Sequence, residues 1–416
     1  MKSEAIHYIL GWLAGGEAGK WVGYTEEQER FGEYKVVIVP SGKFGQGLPP
    51  EPLQEIEGVP LLFGREEIIR VEDTIVVYAD IVASTFFLIS RYEEILRRDE
   101  RDEHGRFPGR ASLPYRAGFI HRPVVDEYGL LLRKWLREAG VPLLPEPTRL
   151  NTLYLTHDVD APFLYRSWKG FGRSLLEKRG LGVSLRGKFG AVAQDPWYTF
   201  PKFFCWDKEL YQAFGEDHCK VIYFFKAGGS TLHDKPHYRL SSSDIHGLLR
   251  KVKEEGATIG LHASYQAGIH PRYIAVEKAA LEEAIQLPVS YNRHHFLAVR
   301  EPEHFEDLEK AGITDDFTMG YADVAGYRLG TSRPVRWIDP LTYRLSALTL
   351  HPLTAMDGSL TEAKYMSLDD PQAAAYCLQL ASVAGKVGGD VCFLWHNSSP
   401  LPLYRRVLQL VWSHGI

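Results

Sequence analysis

The sequence predicts an α/β protein, with a long region built on a parallel sheet or barrel preceded by a smaller mixed α/β region. Three observations predict it. Five short apolar runs follow residue 150: "TLYLTHDVD" (152–160), "KVIYFFKAG" (220–228), "ATIGLHAS" (257–264), "VSYNRHHFL" (289–297) and "DVCFLWHNSS" (390–399). Helix-like stretches such as "SSDIHGLLRKVKEEG" and "AVEKAALEEAIQ" lie between them, and strands alternating with helices argue for parallel pairing. A stretch with three prolines, "VPLLPEPTRLN" (141–151), is the best candidate linker, dividing a front region, 1–145, from a second, 150–416.

In the front region, "YKVVIVPSG" (34–42) and "DTIVVYADIVAS" (73–84) read as buried strands. "FFLISRYEEILRRDERDE" reads as an amphipathic helix ending in a charge run. "HGRFPGRASLPYRAGF" (104–119) reads as a loop, and "DEYGLLLRKWLREAG" (126–140) as a helix stopped by glycine. The chain has 416 residues, 45% of them hydrophobic and 12% aromatic, enough for two packed domains. A net charge of −5 gives no global reason to expect nucleic acid or an anionic membrane as partner, although a local patch can hide behind a mild total. Four cysteines form no CxxC pair and read as reduced thiols. No apolar run is long enough to span a bilayer, and "MKSEAIHYILGWLAGGEAGK" lacks a cleavage-site pattern, so a soluble cytoplasmic protein is expected. Composition says nothing about oligomeric state.

Four of the five runs end in residues suited to chemistry. By strand alternation Thr156, Asp158 and Asp160 share one face and His157 takes the other. Gly260 and His262 share a face, as do Tyr291, Arg293 and His295, and Leu394 and His396. The C-terminal strand ends of a parallel barrel build its active site. Asp, His and His around one open position is a common ligand set for a catalytic divalent metal. One aspartate is then a ligand and its neighbour, about 6.6–7 Å along the strand, the base that takes a water's proton. His396 arrives from another strand to protonate a leaving group, and Arg293 keeps the base ionised and aimed. The constellation is that of metal-assisted hydrolysis. Two bland readings go with it: "HDKPHY" (233–238) as a loop with surface histidines, and "YFFKAGGS" (223–230) as a turn.

These residues resemble the polysaccharide deacetylase superfamily, the carbohydrate esterase 4-like or NodB-homology enzymes. "THDVD" is similar to the family's Thr-x-Asp-Asp motif in spaced form, which implies Asp158 as base and Asp160 as metal ligand. "HASYQ" falls on the His-Ser/Thr-x-x-His motif. It implies His262 as ligand, but Gln266 stands where the second histidine belongs. "RHH" falls on Arg-x-Pro, with Arg293 the aligning arginine and His295 in the proline's place. We expect His295 to replace the missing ligand, with the Gln266 amide oxygen or a further water as the alternative. "LWH" matches the Leu-x-His motif and implies His396 as general acid. "ITDDFTMGYADVAGYRLGTSRP" (313–334) has the texture of the remaining motif and receives no role. Trp395, beside His396, is the tryptophan to test for stacking on a sugar ring.

The resemblance covers about 150–416. It implies a distorted (β/α)7–8 barrel, a divalent metal with zinc first, and removal of N-acetyl groups from an amino sugar in a glycan or glycan precursor. The whole chain also resembles bacterial proteins in which an α/β domain with a "SRYEE…HGRF" signature precedes such a barrel, here "ISRYEEIL" and "EHGRFPG". Two other readings compete. The missing motif histidine motivates a non-catalytic carbohydrate-binding or assembly module on a degenerate barrel, and metal content separates it from the enzyme. A glycoside hydrolase using Asp158 and Asp160 as its carboxyl pair would leave the histidines idle and place both carboxyls on one side of the sugar.

Overall fold

A computed structural model describes residues 2–166, 168–177, 180–399 and 401–414. The front region holds a four-stranded sheet in the order β1-β2-β6-β5, with strands β1 (Val22–Tyr24), β2 (Val36–Ile38), β5 (Gly64–Val71) and β6 (Thr74–Ala79). Strands β3 (Gln54–Ile56) and β4 (Val59–Leu61) form a separate antiparallel pair. The expected strand over 73–84 is a strand followed by a helix. β6 stops at Ala79, and Asp80 Oδ1 accepts the Ala83 N–H at 2.9 Å to cap the helix Ile81–Ile89. Every residue of that helix is buried, so it carries no polar face by which periodicity could tell it from a strand.

The helix expected to begin at Phe86 therefore starts earlier. It also breaks at Arg91, whose φ of 60° ends one helix and whose successor opens a short one, Tyr92–Leu96. The helix near 126–140 spans Val124–Glu138. The loop 104–119 is irregular apart from two single turns, Gly109–Ala111 and Leu113–Arg116. The proline-rich stretch has no helix or strand, yet it is strapped down. Arg133 pairs with Glu146 at 2.6 Å, and the Asn151 N–H donates to Gly389 O at 2.8 Å.

The second region contains a curled nine-stranded sheet in the order β12-β13-β11-β10-β9-β8-β7-β15-β14. Its strands are β7 (Leu153–Val159), β8 (Cys219–Phe225), β9 (Thr258–Ala263), β10 (Tyr291–His294), β11 (Asp315–Asp316), β12 (Val335–Ile338), β13 (Leu345–Leu350), β14 (Ala355–Met356) and β15 (Val391–His396). All neighbours are parallel except the edge pair β12 and β13. Helices Phe200–Phe214, Ser243–Glu254, Arg272–Ile285 and Asp370–Lys386 make the longer crossovers. Among the described residues the sheet does not close as a full barrel would: β12 and β14 are its two edges and do not pair with each other.

The two regions share one apolar core and a buried ionic knot. Glu94 is gripped by Arg91 (Nε at 2.9 Å) and by Arg328 (Nη2 at 2.9 and 3.0 Å), while Arg91 Nη2 also donates to Val299 O at 3.2 Å. All four cysteines are free, with Cys205 exposed and the others buried. Among the described residues, no helix is long and apolar enough to cross a membrane.

Candidate metal centre and active site

The strands β7, β9, β10 and β15 end on one side of the sheet, and their last residues converge on a cleft of about 260 Å³. On β7, alternation sends His157 outward, where Nε2 meets Asp207 Oδ2 at 2.9 Å and the ring stacks on Phe203. Asp158 points inward and is 3% exposed. Asp160 lies one residue beyond the strand.

Arg293 on β10 has no exposed surface. Its Nη1 donates to Asp158 Oδ1 at 3.1 Å and to Thr156 Oγ1 at 2.8 Å, and its Nε to Phe317 O at 3.0 Å. The guanidinium lies over the Phe224 ring, 4.6 Å from its centroid. Gly260 makes room for that ring, since a Cβ there would sit 2.6 Å from it. A buried guanidinium with these partners is a fixed positive charge beside one carboxylate.

Asp160, His262 and His295 come together, with one donor atom from each lying within 4.8 Å of the others. Asp160 Oδ1 is 3.0 Å from His262 Nε2 and 3.4 Å from His295 Nε2. Asp160 Oδ1 and His262 Nε2 are both buried without a hydrogen-bond partner. His262 Nδ1 is 2.9 Å from Arg293 O. With the proton assigned to Nδ1 on that contact, Nε2 turns a lone pair toward Asp160. Two orphaned buried atoms and a second imidazole form a nitrogen- and oxygen-donor set that suits a divalent cation. Burial alone would push the Asp160 carboxyl up, but His295 and His262 hold it well below the usual range. Burial likewise opposes charge on His295, and Asp160 and Asp234 outweigh it, raising its pKa.

His295 reaches the cluster by a different route from the one alternation suggests. The strand ends at His294, and His295 opens a tight turn in which Phe296 and Leu297 have φ of 62° and 54°. Left-handed backbone at two successive non-glycine residues costs energy and needs outside support. The front region supplies it: Arg106 Nη1 donates to Phe296 O at 2.7 Å, Asp102 holds the same guanidinium, and the His104 ring sits 4.8 Å from Phe296. Gln266 stays out of the cluster; its Oε1 accepts Ser230 Oγ at 2.9 Å.

In register with Asp158 on the neighbouring strand β15 stands His396, whose Nε2 is 3.5 Å from Asp160 Oδ2. Asp357, 1% exposed, takes His396 Nδ1 at 2.7 Å and the His396 backbone N–H at 2.7 Å. Burial would lower the His396 pKa, yet the Asp357 charge, aided by Asp160 and Asp158, pushes it up to about 10.

Three site residues escaped the sequence. Asp357 sits in "TAMDGSL", which has no motif. Arg106 belongs to the front region. Asp234 lies inside "HDKPHY", where His233 and His237 are indeed exposed, but Asp234 is fully buried. It accepts the Tyr265 and Thr231 N–H groups at 2.7 and 3.1 Å and sits 3.6 Å from His295 Nδ1. Trp395 does not stack in the cleft. It has no exposed surface and packs on Tyr404, because alternation turns it away from His396.

Residues 17–141 match a family of unknown function (DUF7033). No curated protein matches the chain. Among solved structures, a putative polysaccharide deacetylase from Mycobacterium smegmatis is similar at a TM-score of 0.42 and 13% identity, over 66% of this chain and 87% of that one. The Puue allantoinase is similar at 0.38 and 14%, over 65% and 89%. A family 4 carbohydrate esterase from Streptomyces lividans is similar at 0.29 and 9%, over 65% and 91%. At scores below 0.5 these likenesses decide nothing about the site, which stands on its own distances.

Proposed function

We propose that the chain is a metal-dependent hydrolase that removes acetyl groups from an N-acetylated amino sugar. One observation carries the reading. A three-donor cluster shares a single cleft with an arginine-held carboxylate and a carboxylate-held histidine. Asp160, His262 and His295 would hold a divalent cation, zinc first for this donor set. Such an ion lowers the pKa of a water and polarises an amide carbonyl.

The protein's own groups do the proton work. Asp158 accepts the proton of the attacking water, with Arg293 keeping the carboxylate ionised and fixed through Oδ1. His396 is tied to Asp357 through Nδ1, so the proton it can give away is on Nε2. That proton goes to the amide nitrogen as the C–N bond breaks, releasing the amine and acetate. Ser398, Ser399, Tyr365 and Lys364 line the cleft and suit a hydroxyl-rich ligand. The choice of an acetylated sugar rests on the motif resemblance, and the division into a front domain, 1–145, and a barrel, 150–416, is part of the same reading.

The test is acetate release from N-acetylglucosamine oligosaccharides, read alongside metal content. Wild type should bind one divalent ion per chain and lose activity on chelation. Asp158→Asn should keep the ion and release no acetate. A chain that takes up no divalent metal would sink the metal assignment, and an active Asp158→Asn would remove the base.

A further inference from the structure

The cleft that holds Asp160, His262 and His295 is small. Its volume of about 260 Å³ falls below the usual range of about 300–1,000 Å³ for a small-molecule site. The space does not end there. A second cavity of about 360 Å³ shares Arg106, Leu297, Lys364 and Tyr365 with the wall of the cleft, so the two meet. Beyond these shared residues the front region lines the second cavity with Asp102, Glu103, Phe107 and Arg110.

The segment 102–110 is fixed against the back region, as the wall of a binding site must be. The Gly109 and Arg110 N–H groups donate to the two oxygens of Asp323 at 2.8 and 3.0 Å, and Arg110 Nη2 donates to Tyr365 O at 2.6 Å. A Cβ at Gly109 would lie 2.5 Å from Val324 Cγ2, so only glycine permits this approach. Charge in the cavity is balanced. Asp102 neutralises Arg106 at 2.7 Å, and Glu94 neutralises Arg328 at 2.9 Å. What remains is Glu103 and Asp323 against Arg110 and Lys364. Glu103 lies 3.4 Å from His104 Nε2 and Lys364 lies 3.5 Å from Glu362, loose contacts by side chains that are both more than half exposed. A site for a phosphate or carboxylate would carry an excess of bases, and a site for an apolar ligand a dry wall. Interspersed donors and acceptors suit neutral hydroxyl groups, each of which both donates and accepts.

We propose that the front region supplies a second sugar subsite, built on Glu103 and Arg110, so that the ligand is a neutral chain of at least two sugar units. The unit that reacts sits at the metal cluster. Its neighbour reaches past Tyr365 and Lys364 to the 102–110 segment. There Glu103 and Asp323 accept from its hydroxyls, while Arg110 and Lys364 donate to them. The front region thus takes part in choosing the ligand, besides supporting the turn at Phe296. The inference rests on the sugar reading proposed above.

Calorimetric titration of the full Asp158→Asn chain, with zinc present, tests it by comparing N-acetylglucosamine with its linear tetramer. Affinity is then read apart from turnover. An Asp158→Asn chain that still releases acetate counts against the reaction proposed above, whereas only the binding pattern bears on the subsite. The tetramer should bind about tenfold or more tighter than the single sugar. Adding Glu103→Ala or Arg110→Ala should each cost the tetramer about tenfold, the worth of one hydrogen bond to a charged group, and so bring the two sugars toward the same affinity. Both side chains are exposed, so these variants should unfold at the temperature of the parent chain. The proposal is overturned if the parent binds both sugars equally or binds neither. It is equally overturned if the tetramer keeps its advantage in both variants, or if the variants weaken both sugars alike.

Discussion

His396 and Asp357 form the pair on which the acid role turns. Asp357 is buried and accepts both Nδ1 and the backbone N–H of His396, so it fixes the ring's orientation and its charge together. Its own carboxyl, which burial would push up, is held low by the His396 charge. Asp357→Asn keeps the shape and removes the charge, so the His396 pKa falls from about 10 toward its ordinary value. We expect kcat to drop by about 10²–10⁴-fold, the usual worth of a positioned acid, with KM and metal content unchanged. Steady-state kinetics together with metal analysis checks this, and a KM effect alone would make Asp357 a binding residue. "LWH" exposed His396 to sequence reading, but its partner lies 39 positions earlier with no local signature.

At the scale of elements, the turn after β10 is the weak point of the candidate metal centre. Phe296 and Leu297 hold left-handed backbone, and the hydrogen bond to Phe296 O comes from Arg106, far away in sequence. Arg106 is itself fixed by Asp102 and lies 3.4 Å from the Tyr365 hydroxyl. A lysine offers one point of charge in place of this fork. Arg106→Ala and Arg106→Lys should both weaken metal binding by about 10–100-fold, the range for lost outer support of a ligand. Competition against a chromophoric chelator measures it. Unchanged affinity would show that His295 holds its position without the front region. Alternation placed His295 on the right side for an incomplete reason, because the strand ends one residue before it. The helix Ile81–Ile89 was hidden for the opposite reason, since burial on every side erased its period.

Across the whole molecule, the front and back regions act as one unit. Glu94 from the front neutralises Arg328 from the back, and both side chains are buried. Separating them would strand a guanidinium in the core, at a cost of about 3–5 kcal/mol. Calorimetry of the full chain should therefore show a single transition, and two resolved transitions would contradict this coupling. Stability should also depend on Asp390, 5% exposed and hydrogen-bonded by Asn151 Nδ2 at 2.8 Å. Burial pushes its carboxyl up to about 6 from an ordinary value of 3.8, so folding carries no cost from it below about pH 4 and the full cost above about pH 6. Asp390→Asn should thus stabilise the protein by about 1–3 kcal/mol at pH 8, with the gain fading toward pH 4. Urea unfolding at the two pH values decides it, and a gain that does not fade would rule out titration of Asp390 as its source.

The sequence by itself determined the alternation of strands and helices, the side of each strand that faces the cleft, and the grouping of Asp158, Asp160, His262, Arg293 and His396. The facing sides follow from short-range periodicity, which two or three neighbouring residues suffice to specify, and the grouping from the rule that parallel strand ends build one site together with the motif resemblance. Tertiary structure alone decided that the sheet stays open between its edge strands β12 and β14. It also decided that Asp357 and Asp234 stand behind the two histidines, and that a front-region arginine holds the turn carrying His295. These contacts join residues that are distant along the chain, and their partners become neighbours only once the crossovers have brought the strand ends together.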